Sequence, residues 1–386
     1  MTQQALPAAF MRGGTSKALM VQRSHLPDNP DEWPSLFMQA MGTPDPYGRQ
    51  LDGMGGGVSS LSKVCIVSPS EHPEADVDYT FAQVMVKEAH VDYRGNCGNM
   101  SSAVGPFAVD QGLVEAAGDE TTVRILNTNT NKIIHSTFQT RDGRALYGGD
   151  LAIPGVSGTG SPIRLDFVDP GGATTQKLLP TGQVTDQLDV PGVGTLEVSM
   201  VDAANAAVFV RAADIGLTGL ELPDELESQP DVMQMLNDIR IHASVEMGIA
   251  PDLETARSIT IVPFVAIVRD PIDNPTLSGG TVPIDEIDLI ARVISNGQPH
   301  RALPLTVSLC TAVAARIQGT VVSQVLSSAA PDDHLRLGMP SGILTVGADV
   351  TQRDGEWVAY SGSFYRTARL LFDGQVWVPG PNAGQA

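Results

Sequence analysis

Residues 94–109 read RGNCGNMSSAVGPFAV, and this stretch decides the fold. From Asn99 to Val109 the side chains are small or apolar on every side, so a helix built here has no polar stripe to turn to water. Such a helix is buried all round, and strands are its simplest surroundings. A second stretch, Thr306–Ile317 (TVSLCTAVAARI), has the same character apart from Arg316. Strand-like alternation occurs at Ala18–Val21, Val64–Val67, Val77–Val84, Thr122–Leu126, Thr195–Met200, Ala207–Val210, Ile259–Val268 and Gly342–Val350. Amphipathic spacing predicts further helices over Pro30–Met41, Gln229–Met247 and Ile284–Ser295.

Working outward, three blocks recur in the same order. A strand–turn–strand spans Ala9–Val21 and again Val198–Val210. An apolar strand running into proline spans Ser62–Pro69 and Thr260–Pro271. The buried helix then ends at Gly112-Leu113-Val114 in one case and at Gly319-Thr320-Val321 in the other. Ordered recurrence of this kind points to duplicated α/β halves. A Gly/Pro cluster at Pro191–Gly194 breaks the strand pattern, which places the expected domains at 1–190 and 191–359. The final segment, 360–386, is expected to pack back onto the first. Each half should be a curved mixed α/β sheet, or half-barrel, around one central helix.

The chain of 386 residues carries 24 Lys+Arg against 44 Asp+Glu, a formal charge of −20. A surface this acidic repels phosphate backbones and anionic lipid, so nucleic acid and membrane surfaces are poor partners. No apolar run is long enough to span a bilayer, and Met1–Phe10 lacks a basic region followed by an apolar stretch. Three cysteines, an odd number, read as free thiols in a reducing compartment, and the expected location is cytoplasmic. A homodimer is a possible assembly.

Cys97 lies between Gly95 and Gly98, just where the first buried helix starts. The positive end of a helix dipole and its free N–H groups favour negative charge at that point. The plain alternative is a small hydrophobe in a turn, although a packing cysteine has no need of glycine on both sides. Lys63 follows the glycine-rich stretch Gly53–Gly57 and opens the apolar strand VCIV. A lysine is usually a solvated surface residue, but in an apolar setting it is a candidate general base. The hairpin Arg12–Lys17 (RGGTSK) offers cations and hydroxyls suited to carboxylates, and lacks the spacing of a phosphate loop. Pro340-Ser341-Gly342 adds a hydroxyl and backbone donors from the second half. Cys310 lies too deep in its helix to act at its start and reads as packing; Cys65 shares a strand face with Lys63. The seven histidines show no metal-ligand spacing, and no dinucleotide fingerprint follows a strand, so no cofactor and no metal are expected.

Seen together, several segments resemble the PrpF family of 2-methylaconitate cis-trans isomerases, 3-methylitaconate isomerases and 4-oxalomesaconate tautomerases. They are MRGGTSK (11–17), DGMGGGVSSLSKVCIV (52–67), GNCGNMSSAVGPFAVDQGLV (95–114), RILNTNTNK (124–132), LPTG (179–182), VDAANAAVFV (201–210), PSG (340–342) and TARLLFDG (367–374). The resemblance implies a diaminopimelate epimerase-like fold and a cofactor-independent 1,3-allylic proton shift on an unsaturated di- or tricarboxylate. It implies Lys63 as general base and Cys97 as partner acid/base, 34 residues apart. Substrate contacts would come from Arg12, Thr15, Ser16, Asn96, Gly98 and Asn99, and from Thr306, Ser308, Ser341 and Gly342.

Four residues at three sites depart from the family pattern. Met339 stands in place of a histidine, Val307-Ser308 in place of Gly-Ala, and Phe264 in place of a lysine after Pro263. All lie in the second half, which implies a changed substrate rather than changed chemistry. Three other readings are weighed against the isomerase. One is a two-thiol epimerase using Cys97 and Cys310, and another a cysteine nucleophile needing an activating histidine such as His90. The last is a carboxylate-binding protein without activity.

Overall fold

The computed structural model describes residues 3–93, 97–259, 262–295 and 297–379. The chain divides into two units. One is formed by residues up to Asp166 together with those from Tyr365 onward, the other by Phe167–Phe364.

In the first unit the elements are β1 (Gln3–Gly13), β2 (Ser16–Gln22), α1 (Trp33–Met41), β3 (Lys63–Pro69), β4 (Val77–Val84), β5 (Val91–Asp92), α2 (Gly98–Asp110), β6 (Glu120–Asn127) and β7 (Lys132–Arg141). The C-terminal strand, Ala368–Pro379, pairs antiparallel with β1. From it the ladder runs through β1, β2, β3, β4, β6 and β7. All these pairs are antiparallel except β2 with β3 and β4 with β6, which are parallel. Helix α2 supplies the crossover from β4 and β5 to β6, as parallel neighbours require. It packs on β1, β2, β3, β6, β7 and the C-terminal strand. Every residue from Met100 to Val109 is buried, as an all-apolar helix demands. At Gly105 the approach is close enough that a Cβ would sit 2.6 Å from Ser136 Oγ and 2.7 Å from a Phe138 ring carbon.

Helix α1 covers other residues of the same strands, with Phe37, Ala40 and Met41 packed among Leu19, Val21, Val64 and Ile66. With both faces covered, β3 is buried from Lys63 to Val67 and reads as a continuous apolar run after its first residue.

The second unit repeats this order. Its ladder runs through Asp186–Val190, Gly194–Asp202, Ala206–Arg211, Phe264–Arg269, Leu289–Ser295, Leu335–Met339, Gly342–Arg353 and Glu356–Arg366. Again the third and fifth pairings are parallel and the others antiparallel. The helix Leu305–Arg316 stands where α2 stands, buried from Val307 to Ala315. The chain passes between units at 166/167 rather than near 190 because the Gly/Pro cluster at 191–194 is only a hairpin turn. Val190 pairs with Gly194 across it.

Two elements differ from the sequence expectation. Ile284–Ser295 is a short 3-10 turn, Ile284–Glu286, followed by the strand Leu289–Ser295. All its strand residues but Ser295 are buried, so no alternation marks it, and a short apolar run fits either period. The strand expected over Ile259–Val268 begins only at Phe264, after the Val262–Pro263 bend; residues 260 and 261 lie outside the described residues.

A polar clasp is duplicated with the fold. Asp76, just before β4, accepts from the Arg124 backbone N–H at 2.8 Å and from its guanidinium at 2.6 Å. In the second unit Asp288 accepts from the Arg336 backbone at 2.7 Å and its guanidinium at 2.8 Å. Each pair bridges a parallel strand pair, and each spans 48 residues.

Candidate active site

Cys97 stands at the N-cap of α2 with extended backbone, and its own side chain makes no capping hydrogen bond. Its carbonyl accepts the Ser101 N–H at 3.0 Å and the Ser101 hydroxyl at 3.2 Å, which fixes the first turn. The side chain is half-buried, whereas Cys65 and Cys310 are buried. The amides of a first helical turn are an anion-binding feature of any helix start.

Lys63 opens β3 and is 7% exposed. Opposite it in the antiparallel pair is Gln83 of β4. The lysine Nζ donates to Gln83 Oε1 and lies 4.9 Å from the centre of the Phe81 ring. Gln83 Nε2 donates in turn to the carbonyls of Ser59 at 3.0 Å and Ser62 at 2.9 Å. Ser62 is held by Gln50, which is buried beneath the glycine-rich loop and donates to the Ser62 hydroxyl at 2.7 Å. The loop closes on the same side chain, with Gly57 N–H donating to Gln50 Oε1 at 3.0 Å.

The lysine and the cysteine meet electrostatically at Cys65. Burial pushes this thiol well up; Cys97 raises it further, while its hydrogen bond to Tyr79 and the charge of Lys63 pull the other way. Cys65 Sγ donates to Tyr79 Oη at 3.8 Å. Burial pushes the Tyr79 phenol up as well, and both Cys65 and Cys97 add to the shift. Lys63, Cys97 at the start of α2 and the buried Cys65–Tyr79 pair thus lie on packed elements of the first unit.

The β1–β2 hairpin borders the same helix start. Asn99, second residue of α2, accepts at Oδ1 from the Thr15 backbone N–H at 3.4 Å and from Arg366 Nε at 3.2 Å. Gly14 (φ +50°) makes this possible, because a Cβ there would fall 2.2 Å from Asn99 Oδ1. Arg366 is 7% exposed and burial lowers its pKa to about 10; Nη1 also donates to its neighbour's carbonyl, Tyr365 O, at 2.8 Å. The sequence reading missed Arg366, which directly precedes TARLLFDG, and it missed Gln83, a polar residue in an otherwise ordinary alternating strand.

Other expected residues are placed less directly. Arg12 donates to the carbonyls of Gly14 at 2.9 Å and Thr367 at 2.8 Å, so its guanidinium shapes the turn. Burial, with Arg369 second, lowers its pKa. Lys17 Nζ lies over the Phe10 ring at 5.5 Å. Thr15 is exposed and Ser16 buried. Asn96 lies outside the described residues.

Thr306, Ser308, Ser341 and Gly342 belong to the second unit. Thr306 Oγ1 accepts from Asn205 at 3.4 Å, while the Ser308 hydroxyl donates to Pro304 O at 3.0 Å and Leu305 O at 3.1 Å. Ser341 Oγ is buried without a hydrogen-bond partner among the described residues. Gly342 opens a strand at φ +125°. The residue at the N-cap of the second central helix is Pro304, where the first has Cys97. Cys310 is inside that helix, its Sγ donating to Val201 O at 3.4 Å, and burial pushes its thiol up. A two-thiol epimerase therefore lacks its second capping thiol. Among the described residues no group of three His, Cys, Asp or Glu is arranged to hold a metal, and no helix is long and apolar enough to cross a membrane.

The chain is similar over nearly its whole length to enzymes of known name. It is 40% identical over 378 residues to 3-methylitaconate isomerase of Eubacterium barkeri, covering 97% of this chain and 98% of that one. To 2-methyl-aconitate isomerase of Cupriavidus necator it is 38% identical over 393 residues, 98% of each. The crystal structure of a methylitaconate-delta-isomerase superposes with a TM-score of 0.91 at 40% identity, covering 98% of this chain and 96% of that one. The family model described as PrpF protein matches residues 3–379. The chain belongs to the PrpF family and is an isomerase.

Proposed function

We propose that the protein catalyses a 1,3-allylic proton shift on an unsaturated di- or tricarboxylate of the methylaconitate and methylitaconate type. Lys63 takes the proton from the carbon next to the conjugated system, and Cys97 returns or orients one at the other end. Removal of that proton leaves a dienolate whose charge spreads into the substrate's own carboxylate, so the electron sink is the substrate itself. The N–H groups at the start of α2 and the Asn99 amide, whose oxygen is already held by Arg366 and Thr15, are suited to receive the anionic end.

The single observation that carries this reading is the packing of α2, with Cys97 at its N-cap, on β3, which opens with the buried Lys63. A buried amine and a thiol at a helix start, on packed elements of one unit, support a pairing for proton abstraction and return. Three free thiols favour a reducing, cytoplasmic setting for this chemistry. The departures at Phe264, Val307 and Met339, all buried, favour a substrate whose distal group differs from those of the named relatives.

The test is incubation in D2O with 3-methylitaconate, 2-methylaconitate, trans-aconitate and 4-oxalomesaconate, followed by NMR. Deuterium should enter the allylic position of at least one compound, and Lys63→Ala should abolish its entry. Undiminished exchange in Lys63→Ala would remove Lys63 from the role.

A further inference from the structure

We infer that Gln83 is a positioning residue for Lys63, and that its being an amide rather than a carboxylate sets the range of pH over which the enzyme works. This inference rests on Lys63 being the base. The two side chains face each other across the β3–β4 pair, and the lysine Nζ donates to Gln83 Oε1. The glutamine cannot reverse its amide without loss, because Nε2 is committed to the carbonyls of Ser59 and Ser62. Only the oxygen is left to face the lysine.

An uncharged acceptor at this point does two things. By taking one N–H it fixes the direction of the remaining substituents on nitrogen, so the lone pair of the neutral amine points away from Gln83. By carrying no charge it does not favour ammonium over amine as a carboxylate would. The Phe81 ring packs against the same Nζ, limiting the other directions the side chain can take. The clasp extends backwards through Ser62 to Gln50 and the closed glycine-rich loop. This gives the glycine-rich stretch a purpose that its composition alone did not reveal: it anchors the strand start that aims the base. The other titratable groups around the pair, among the described residues, include Cys65 on the same strand, Tyr79 on β4, Asp92 on β5 opposite Gln83, and Cys97 at the start of α2.

The experiment compares Gln83→Glu, Gln83→Met and Lys63→Ala with the unmodified enzyme. Its readouts are the pH profile of 3-methylitaconate isomerisation and, without any substrate, the pH dependence of Lys63 acetylation by acetic anhydride, read by peptide mass spectrometry. Gln83→Glu should move the midpoint of acetylation up by about one unit or more, the usual effect of an adjacent opposite charge. The acidic limb of the rate profile should move with it, so that activity lost near pH 7 returns at alkaline pH. Gln83→Met should lower kcat about tenfold or more with KM within about threefold, without the upward shift. An unmoved acetylation midpoint in Gln83→Glu would overturn the inference, as would a Gln83→Met variant with unchanged kcat. If Lys63→Ala keeps full activity, the base assignment itself fails. An inactive Lys63→Ala beside an unmoved Gln83→Glu refutes only the role of Gln83.

Discussion

Arg336 closes on Asp288 through its backbone N–H and its guanidinium together, and Arg124 repeats both bonds on Asp76 in the other unit. The repeat is one of geometry, not of burial. Asp288 is 1% exposed at its side chain, whereas Asp76 is 26% exposed. Removing the carboxylate should therefore cost unequal amounts. Asp288→Ala is expected to destabilise by about 2 kcal/mol, since it takes the buried acceptor from the Arg336 backbone N–H and from a part-buried guanidinium. Asp76→Ala should cost about 1 kcal/mol, as for a solvent-screened pair. Urea denaturation of the two variants checks the order; equal losses would show that burial does not set the strength of the clasp.

The Asp76 clasp also carries a pH signature. Partial burial pushes the Asp76 carboxyl up, but the hydrogen bonds and charge of Arg124 outweigh this and hold it below the ordinary carboxylate range. A folded-state pKa below the unfolded one gives stability that is present above about pH 4 and is lost as pH falls through the folded value. Asp76→Asn should flatten part of the acid limb of a stability curve and leave the slope above pH 5 unchanged. Denaturation midpoints collected between pH 2.5 and 6 provide the comparison.

The hairpin offers a test of binding separate from the chemistry. Gly14→Ala would place a methyl group against Asn99 Oδ1 and force a strained φ. The Asn99 amide would then leave the grip of Thr15 and Arg366. The expected result is a rise in KM for 3-methylitaconate of about tenfold with a smaller change in kcat, the magnitude of one lost hydrogen bond to a charged group. A KM that does not move would show that Asn99 takes no part in binding.

These features differ in how far the sequence announces them, and the reasons are physical. The helix α2 is legible because an element apolar on every side has only one place to go. Its twin, Leu305–Arg316, follows by the same argument. The strand Leu289–Ser295 reads as a helix because burial on both faces erases the period, and its Arg292 looks like a polar face. Arg292 is in fact buried, spending its guanidinium on Glu221 O at 2.9 Å and Asn274 Oδ1 at 2.8 Å. Lys63 and Cys97 stand out through their glycine-rich neighbours. Gln83, Arg366 and the Asp–Arg clasps do not, because their partners lie 20 to 267 residues away and nothing local distinguishes them from solvated side chains.

Thiol reactivity separates the three cysteines. Cys65 and Cys310 are buried and their thiols are pushed up, so neither offers accessible thiolate. Cys97 is half-buried at a helix start. Iodoacetamide at pH 8 should add one equivalent to the folded protein, on Cys97, with loss of activity in step; the other two should react only after denaturation. Peptide mapping reads the site directly, and early labelling of Cys65 would contradict the packing described for it.

The charge of −20 bears on how the substrate arrives. A di- or tricarboxylate approaching a protein of this net charge meets repulsion that salt screens, with a Debye length of about 10 Å at 0.1 M. Short-range donors at the start of α2 act after that approach and are screened less. Added sodium chloride should therefore raise kcat/KM between about 10 and 150 mM through association, while kcat stays nearly flat. A local positive site strong enough to dominate the field would reverse the sign and make kcat/KM fall with salt. The measured slope thus distinguishes a substrate drawn in by the site's long-range field from one held only once it reaches Asn99 and the helix amides.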